Sequence, residues 1–216
     1  MRTVTVINYG RSNLLSVRRA LEHCGAAVRL AQTPAELAGA EKLVLPGVGA
    51  FADGMAGLEA AGLVEPIRAM ARRGVPLLGI CLGMQMLLEE SDESDTGAPC
   101  PGLGLIPGRV QAIPARDTAG AKLPVPNIGW RPLAPAGGRA DFSGTPFSSV
   151  QPGDEFYFVH GYSAHPARLQ DALATAAYGG HNLCAAVWHD SILGTQFHPE
   201  KSAAPGLALV QAFVNL

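Results

Sequence analysis

The chain is 216 residues long, 48% hydrophobic and only 16% charged, with a formal net charge of −2. A chain of that length buries a substantial core without a metal or disulfide staple. Sixteen Lys and Arg against eighteen Asp and Glu leave no basic excess for a phosphate backbone, which argues against nucleic acid as the main partner.

Residues 1–9 carry one arginine and then a Val/Thr/Ile run with no small-residue cleavage site. They read as a first strand, centred on 4–7, and not as a signal peptide. The turn Asn8-Tyr9-Gly10-Arg11 leads to a helix opening at Ser12, with Leu14, Val17 and Leu21 on one face and Gly25 beyond its end. Residues 27–30 form a second strand. Thr33-Pro34-Ala35-Glu36 combines an N-cap, a proline at the first helical position and a capping-box glutamate. Residues 42–45 are a third strand, broken by Pro46-Gly47-Val48-Gly49. A helix over 65–73 precedes a fully apolar strand over 75–80, as expected where helices cover both faces of a parallel sheet. The pattern returns to helix over 82–90. The longest uncharged apolar run, 74–88, is too short to cross a bilayer, so no membrane association is expected.

In the second half, residues 110–113, 156–159, 173–177, 185–188 and 192–197 read as strands, the last two joined by a hairpin turn at His189-Asp190-Ser191. The stretch 134–153, rich in Gly, Pro, Ala and Ser, reads as a surface excursion with little fixed structure. A helix over 207–213 closes the chain. No repeat or long linker divides the sequence, which predicts one α/β domain over 1–216. Its central sheet is expected to be mostly parallel and flanked by helices, with additional antiparallel strands in the C-terminal half.

Four cysteines, at 24, 81, 100 and 184, form no C-x-x-C pair and read as reduced thiols of a cytoplasmic protein. Most free cysteines are small buried hydrophobes. Cys81 differs, because Gly79-Ile80-Cys81-Leu82-Gly83 sets a nucleophile between glycines, after an apolar strand and before a helix. The tight turn pushes the side chain into a cleft, where the helix start favours a thiolate and the Leu82 N–H can face an oxyanion. A cysteine nucleophile needs a histidine base held by a third group. His198, in Gln196-Phe197-His198-Pro199-Glu200, stands at a strand end with Glu200 two residues on, and His160 is its competitor. His23 sits at a helix end and suits a dipole role. Five of the six histidines follow residue 159, but without H-x-x-x-H spacing or a paired cysteine a metal site is not expected. Phosphate-binding loop motifs are absent as well. Gly47-Val48-Gly49 is either a flexible turn or a set of backbone N–H groups for an anion.

Leu45-Pro46-Gly47-Val48-Gly49, Gly79-Ile80-Cys81-Leu82-Gly83-Met84-Gln85 and Gln196-Phe197-His198-Pro199-Glu200 together resemble the class I (triad) glutamine amidotransferases. Within that class the chain is similar to the glutaminase subunits of imidazole glycerol phosphate synthase, which serve histidine biosynthesis. That likeness rests on Tyr9-Gly10 with Asn13-Leu14, Met84, Pro126-Asn127-Ile128-Gly129-Trp130, the segment from Tyr157 to Tyr162, and Lys201-Ser202. The resemblance implies that Cys81 attacks the glutamine amide, His198 shuttles the proton and Glu200 orients His198. It implies an oxyanion hole from the Leu82 N–H and a backbone N–H of Gly47-Val48-Gly49, with Gln85 helping to hold the substrate. No cofactor is implied. The implied partner is a (β/α)8 cyclase subunit that takes the ammonia in a heterodimer, and Asn13, Trp130 and Lys201 are the residues expected to face it. Asn8, Ser12, Asn127 and Arg131 depart from the residues commonest in that group. Two other readings stay open: a glutaminase feeding a different synthase, and a stand-alone Cys-His-Glu hydrolase of γ-glutamyl or peptide bonds.

Overall fold

A computed structural model describes residues 2–94 and 97–216, so Met1 of the opening segment lies outside the described residues. β1 (Thr3–Ile7) sends Val4 and Val6 to one side of a sheet and Ile7 to the other. α1 (Leu14–His23) buries Val17, Ala20 and Leu21; Asn13, not Ser12, holds its N-cap position, without a side-chain capping bond. β2 (Ala27–Ala31) pairs with β1 in parallel. α2 (Pro34–Leu37) carries the predicted reciprocal capping box between Thr33 and Glu36.

β3 (Leu43–Gly47) runs through Pro46, where the sequence suggested a break. Its pairing with β1 ends at Val44 while that with β4 (Leu77–Cys81) continues to Gly47, so the proline lies where the strand has left one neighbour. α3 (Phe51–Ala60) carries no strong sequence signal, because Gly54 and Gly57 weaken its helical pattern. Both glycines mark close approaches: a Cβ would stand 2.8 Å from Met86 Sδ at Gly54 and 3.0 Å from the Tyr9 ring at Gly57. α4 (Val64–Arg72) precedes β4, every residue of which is buried.

α5 (Leu82–Met86) stops after five residues instead of continuing to Glu90. The chain turns at once into β5 (Leu88–Ser91), which pairs with β6 (Cys100–Pro101) and β7 (Ile106–Ala112). Sheet pairing here overrides the helical propensity of the Leu and Glu residues. β8 (Asn127–Pro135), β9 (Glu155–His160), β10 (Tyr162–Pro166), β11 (Ala172–Tyr178), β12 (His181–His189) and β13 (Ile192–Thr195) follow. The β12–β13 hairpin turns at Asp190 and Ser191, and α6 (Ala203–Asn215) ends the chain.

Among the described residues the strands build a nine-stranded sheet, β2-β1-β3-β4-β13-β12-β11-β8-β9, and a four-stranded sheet, β10-β7-β5-β6. The large sheet is parallel from β2 to β13 and antiparallel from β13 to β9. One core cluster joins Val4, Val6, Val44 and Leu78 to α1 and α6; the other joins Ile7, Leu43, Leu45 and Leu77 to α3, α4 and α5. The expected α/β architecture is thus present, with helices on both faces. Among the described residues no helix is long and apolar enough to cross a membrane.

The stretch 134–153 is not the loose excursion its composition suggests. β8 takes in its first two residues, and Phe142, Phe147 and Val150 are at most 2% exposed. Phe147 packs its ring on Phe142 and Phe197, at centroid distances of 5.7 and 6.1 Å, and Phe156 lies 4.3 Å from Phe197. Apolar burial, not secondary structure, fixes this segment. Phe147→Ala should therefore lower the unfolding free energy by about 3 kcal/mol or more in urea titrations. An unchanged midpoint would return the segment to the surface.

Candidate active site

Three chain segments meet at the carboxyl ends of the parallel strands. β4 ends at Cys81, β3 on one side ends at Gly47 opposite it, and β13 on the other side leads to His198. Crevices at the carboxyl ends of such strands are where α/β folds bind ligands.

Cys81 occupies φ +55°, ψ −112°, a backbone region that L-residues rarely enter, at the junction of β4 and α5. The flanking glycines make that junction possible. A Cβ on Gly83 would collide with the Leu45 carbonyl oxygen, and one on Gly79 would stand 2.8 Å from Met84 N. Cys81 Sγ lies 3.9 Å from the Val159 carbonyl oxygen and 3.8 Å from Gln196 Nε2.

His198 is fixed through its backbone. Its N–H donates to the Tyr157 carbonyl at 3.0 Å, and its own carbonyl accepts from Ser202 Oγ at 2.6 Å. Ser202 Oγ also accepts the Tyr157 N–H at 3.0 Å, so one hydroxyl ties the His198 turn to β9. The His198 ring gives Nδ1 to Glu200 Oε1 at 2.8 Å, with both side chains at most 3% exposed. Nε2 is buried with no hydrogen bond inside the protein and remains for Cys81. Burial works against the imidazolium, but the interactions with Cys81 and Glu200 outweigh it and raise the pKa to about 9.

His160, the competing base, is committed elsewhere. Its Nδ1 faces the Tyr162 carbonyl at 2.8 Å and must carry the proton, so Nε2 accepts from Asn127 Nδ2 at 3.1 Å. Burial first, with the nearby Arg131 and His198 charges, lowers its pKa to about 4.

A cleft of about 370 Å³ is lined by Cys81, Leu82, Gln85, Val48, Gly49 and His198 among others. Glu200 stands behind His198, out of the cleft. Gln85 donates its amide nitrogen to Gln196 Oε1 at 2.9 Å and the Tyr162 carbonyl at 3.2 Å, which leaves its carbonyl oxygen for a ligand. The Val48 N–H donates to the Arg11 carbonyl at 3.0 Å, so it is not offered to an oxyanion. Because the peptide is planar and trans, the Gly47 carbonyl points the opposite way. The Leu82 N–H, at the first residue of α5, stays available.

Asn13, Trp130 and Lys201 lie outside the cleft. Trp130 is 44% exposed and meets Tyr157 edge-on at 6.1 Å, Lys201 is exposed beside Glu200, and Asn13 is half-buried. Sequence reasoning missed Gln196, which bridges Cys81 and Gln85, and Glu93, which lines the cleft and accepts the Phe51 N–H at 2.9 Å. Gln196 opens the Gln196-Phe197-His198-Pro199-Glu200 motif itself, which could have marked it; nothing local marks Glu93.

These environments make opposite titrations. The raised His198 pKa means that its charged pairing stabilises the fold below pH 6.5 and is lost as pH rises through about 9. His160 works in reverse: its stabilising neutral form is lost as pH falls from 6.5 toward 4. Histidine ring NMR should show His198 titrating near pH 9 and His160 near pH 4. Cys81→Ala should lower the His198 value. Titration of both near pH 6.5 would remove this electrostatic account.

The chain matches the family described as glutamine amidotransferase class-I over residues 5–215. It is 42% identical over 216 residues to imidazole glycerol phosphate synthase subunit HisH 1 of Legionella pneumophila (strain Lens), covering 100% of both chains. It is also 42% identical over 216 residues to the HisH subunit of Moorella thermoacetica, covering 100% of this chain and 96% of the other. Among solved structures, one described as a glutamine amidotransferase aligns with a TM-score of 0.69 at 19% identity over 99% of both chains. The structure of PurLQS from Thermotoga maritima aligns with a TM-score of 0.68 at 21% identity, covering 100% of this chain and 99% of that one. Those two support the fold alone, whereas the family match and the close relatives carry the chemistry. The chain belongs to the class-I glutamine amidotransferases, enzymes that hydrolyse glutamine.

Proposed function

We propose that this chain is the glutaminase subunit of imidazole glycerol phosphate synthase, working in the cytoplasm beside a (β/α)8 cyclase that consumes its ammonia. The observation that carries the catalytic assignment is the line Cys81, His198, Glu200, with a histidine whose free Nε2 is buried toward the thiol. His198 Nε2 takes the Cys81 proton, and the thiolate attacks the side-chain carbonyl carbon of glutamine. The Leu82 N–H meets the oxyanion that forms. Collapse breaks the C–N bond as the His198 proton passes to nitrogen, ammonia leaves and a glutamyl thioester remains. Water, deprotonated by His198, then releases glutamate and restores the thiol. Glu200 holds the imidazole ring and stabilises its charge.

The partner half of the reading is supported by the surface. Val125, Ile128 and Trp130, at and just before the start of β8, are 51%, 55% and 44% exposed, an apolar patch next to Pro126 of the cleft. Lys201 is exposed at the turn behind His198. Control is supported by the Val48 N–H, which the Arg11 carbonyl holds away from the reaction. Binding of the loaded cyclase would turn the Gly47-Val48 peptide and complete the oxyanion hole. A shift from 1:99 to 99:1 requires about 5.5 kcal/mol of differential binding.

The isolated chain should hydrolyse glutamine very slowly, and the cyclase with its nucleotide ligand should raise kcat far more than it lowers KM. Full glutaminase activity in the chain alone would refute this control and favour a stand-alone hydrolase; stimulation by another synthase but not by the cyclase would reassign the partner.

In the complex, Cys81→Ala should abolish glutamine hydrolysis and His198→Ala should be nearly as severe. Glu200→Gln should retain more activity, though still orders of magnitude below wild type. An alkylating glutamine analogue should label Cys81 and spare Cys24, Cys100 and Cys184. A label on another cysteine, or a His160→Ala loss exceeding that of His198→Ala, would overturn the triad.

A further inference from the structure

The loop that holds the Val48 N–H also contains two buried hydroxyls without hydrogen-bond partners, Tyr9 Oη and Ser12 Oγ. Tyr9 is only 7% exposed and does not line the cleft. Its ring is packed between two glycines, Gly47 at the end of β3 and Gly57 of α3. A Cβ on Gly47 would stand 2.5 Å from Tyr9 Oη, 2.9 Å from Leu82 Cβ and 3.0 Å from Gly83 N. The hydroxyl therefore sits directly against the residue whose carbonyl must move if the turn is to work. Phenylalanine would fill the same space without burying an orphaned hydroxyl, so burial alone gives no reason for a tyrosine.

Turning the Gly47-Val48 peptide exchanges its two ends. The Val48 N–H leaves the Arg11 carbonyl for the cleft, and the Gly47 carbonyl swings toward the side that N–H has vacated. Two carbonyl oxygens, those of Arg11 and Gly47, would then face each other, a repulsion that a hydroxyl donor beside the buried Gly47 relieves. Tyr9 Oη is the unused donor lodged against Gly47. We propose that Tyr9 is a positioning residue of the glutaminase reaction, its hydroxyl donating to the Gly47 carbonyl in the turned state and so holding the Val48 N–H at the oxyanion. The inference rests on reading the 47–49 turn as the switch. It assigns Tyr9 no contact with glutamine and explains why a buried hydroxyl goes unpaired at rest.

The test is Tyr9→Phe in the complex with the cyclase at a saturating concentration of the cyclase's nucleotide ligand, with Ser12→Ala for comparison. Tyr9→Phe should keep the wild-type Tm or exceed it, keep KM for glutamine within about twofold, and lower stimulated kcat about tenfold, the worth of one hydrogen bond. Ser12→Ala should retain most of the stimulated kcat. In a crystal structure of the wild-type complex trapped with the glutamine analogue, Tyr9 Oη should lie about 3 Å from the Gly47 carbonyl oxygen. Wild-type kcat in Tyr9→Phe, or a larger loss in Ser12→Ala, would overturn the assignment. A wild-type chain unstimulated by the cyclase would instead overturn the switch itself, and Tyr9 with it.

Discussion

The approach of α5 to β3 is the constraint on which the site depends. The helix can start immediately after β4 only if Cys81 accepts a positive φ and if Gly83 carries no side chain against the Leu45 carbonyl. Strain of this kind costs on the order of 1–3 kcal/mol and persists only where the surroundings enforce it. Here they do: β4 is buried along its whole length, β3 and β13 pair on its two sides, and Met84 fills the space left by Gly194. The same arrangement brings the Leu82 N–H and the 47–49 turn beside the thiol. The positions of Cys81, the Leu82 N–H and the 47–49 turn follow from one tight junction.

Against that junction the histidine is held by a different kind of force. Phe197, wholly buried among Phe147, Phe156 and Phe158, anchors the residue just before His198. The Ser202 hydroxyl locks the backbone just after it. Glu200 then needs only to supply charge and orientation. Desolvation works against the buried imidazolium, and the interactions with Cys81 and then Glu200 together reverse that balance. The aromatic packing of residues 142–147 is thus connected to the chemistry through Phe197, although no residue of that segment reaches the cleft.

What the sequence makes legible is what is local. Strands buried on both faces read as apolar runs, the Thr33-Glu36 box lies within one turn, and the motifs around Cys81 and His198 carry their own glycines and proline. What it hides depends on distant partners. α3 looks broken because its glycines answer to Tyr9 and Met86, and β5 looks helical because its pairing partner lies beyond residue 99. The burial of Phe142, Phe147 and Val150 follows no period that a strand or helix would impose. Glu93 reaches the cleft from the second sheet's connection, a placement no local spacing encodes. The orientation of the Val48 peptide is the extreme case, since it is set by the Arg11 carbonyl of a distant loop.

The pattern of unsatisfied groups gives the site its physical signature. Among the described residues, buried side-chain polar atoms without partners include His198 Nε2, Glu200 Oε2, Asn127 Oδ1, Thr195 Oγ1, Tyr9 Oη and Ser12 Oγ. These belong to the His198–Glu200 pair, to the partner of His160, to the strand leading to Gln196, and to the loop holding Val48, whereas two others, Arg131 Nε on β8 and Ser163 Oγ on β10, lie outside those groups. Each such group costs about 1–3 kcal/mol, a large fraction of a domain's net stability, so their concentration at one end of the sheet is not what stability alone would produce. A fold can carry that burden only because the glycine-enabled packing beneath it is tight. The protein therefore keeps most of these unsatisfied groups at the Cys81 end of the large sheet while the core below supplies the rigidity. Of these groups His198 Nε2 belongs to a residue that lines the cleft, where a bound ligand can reach it.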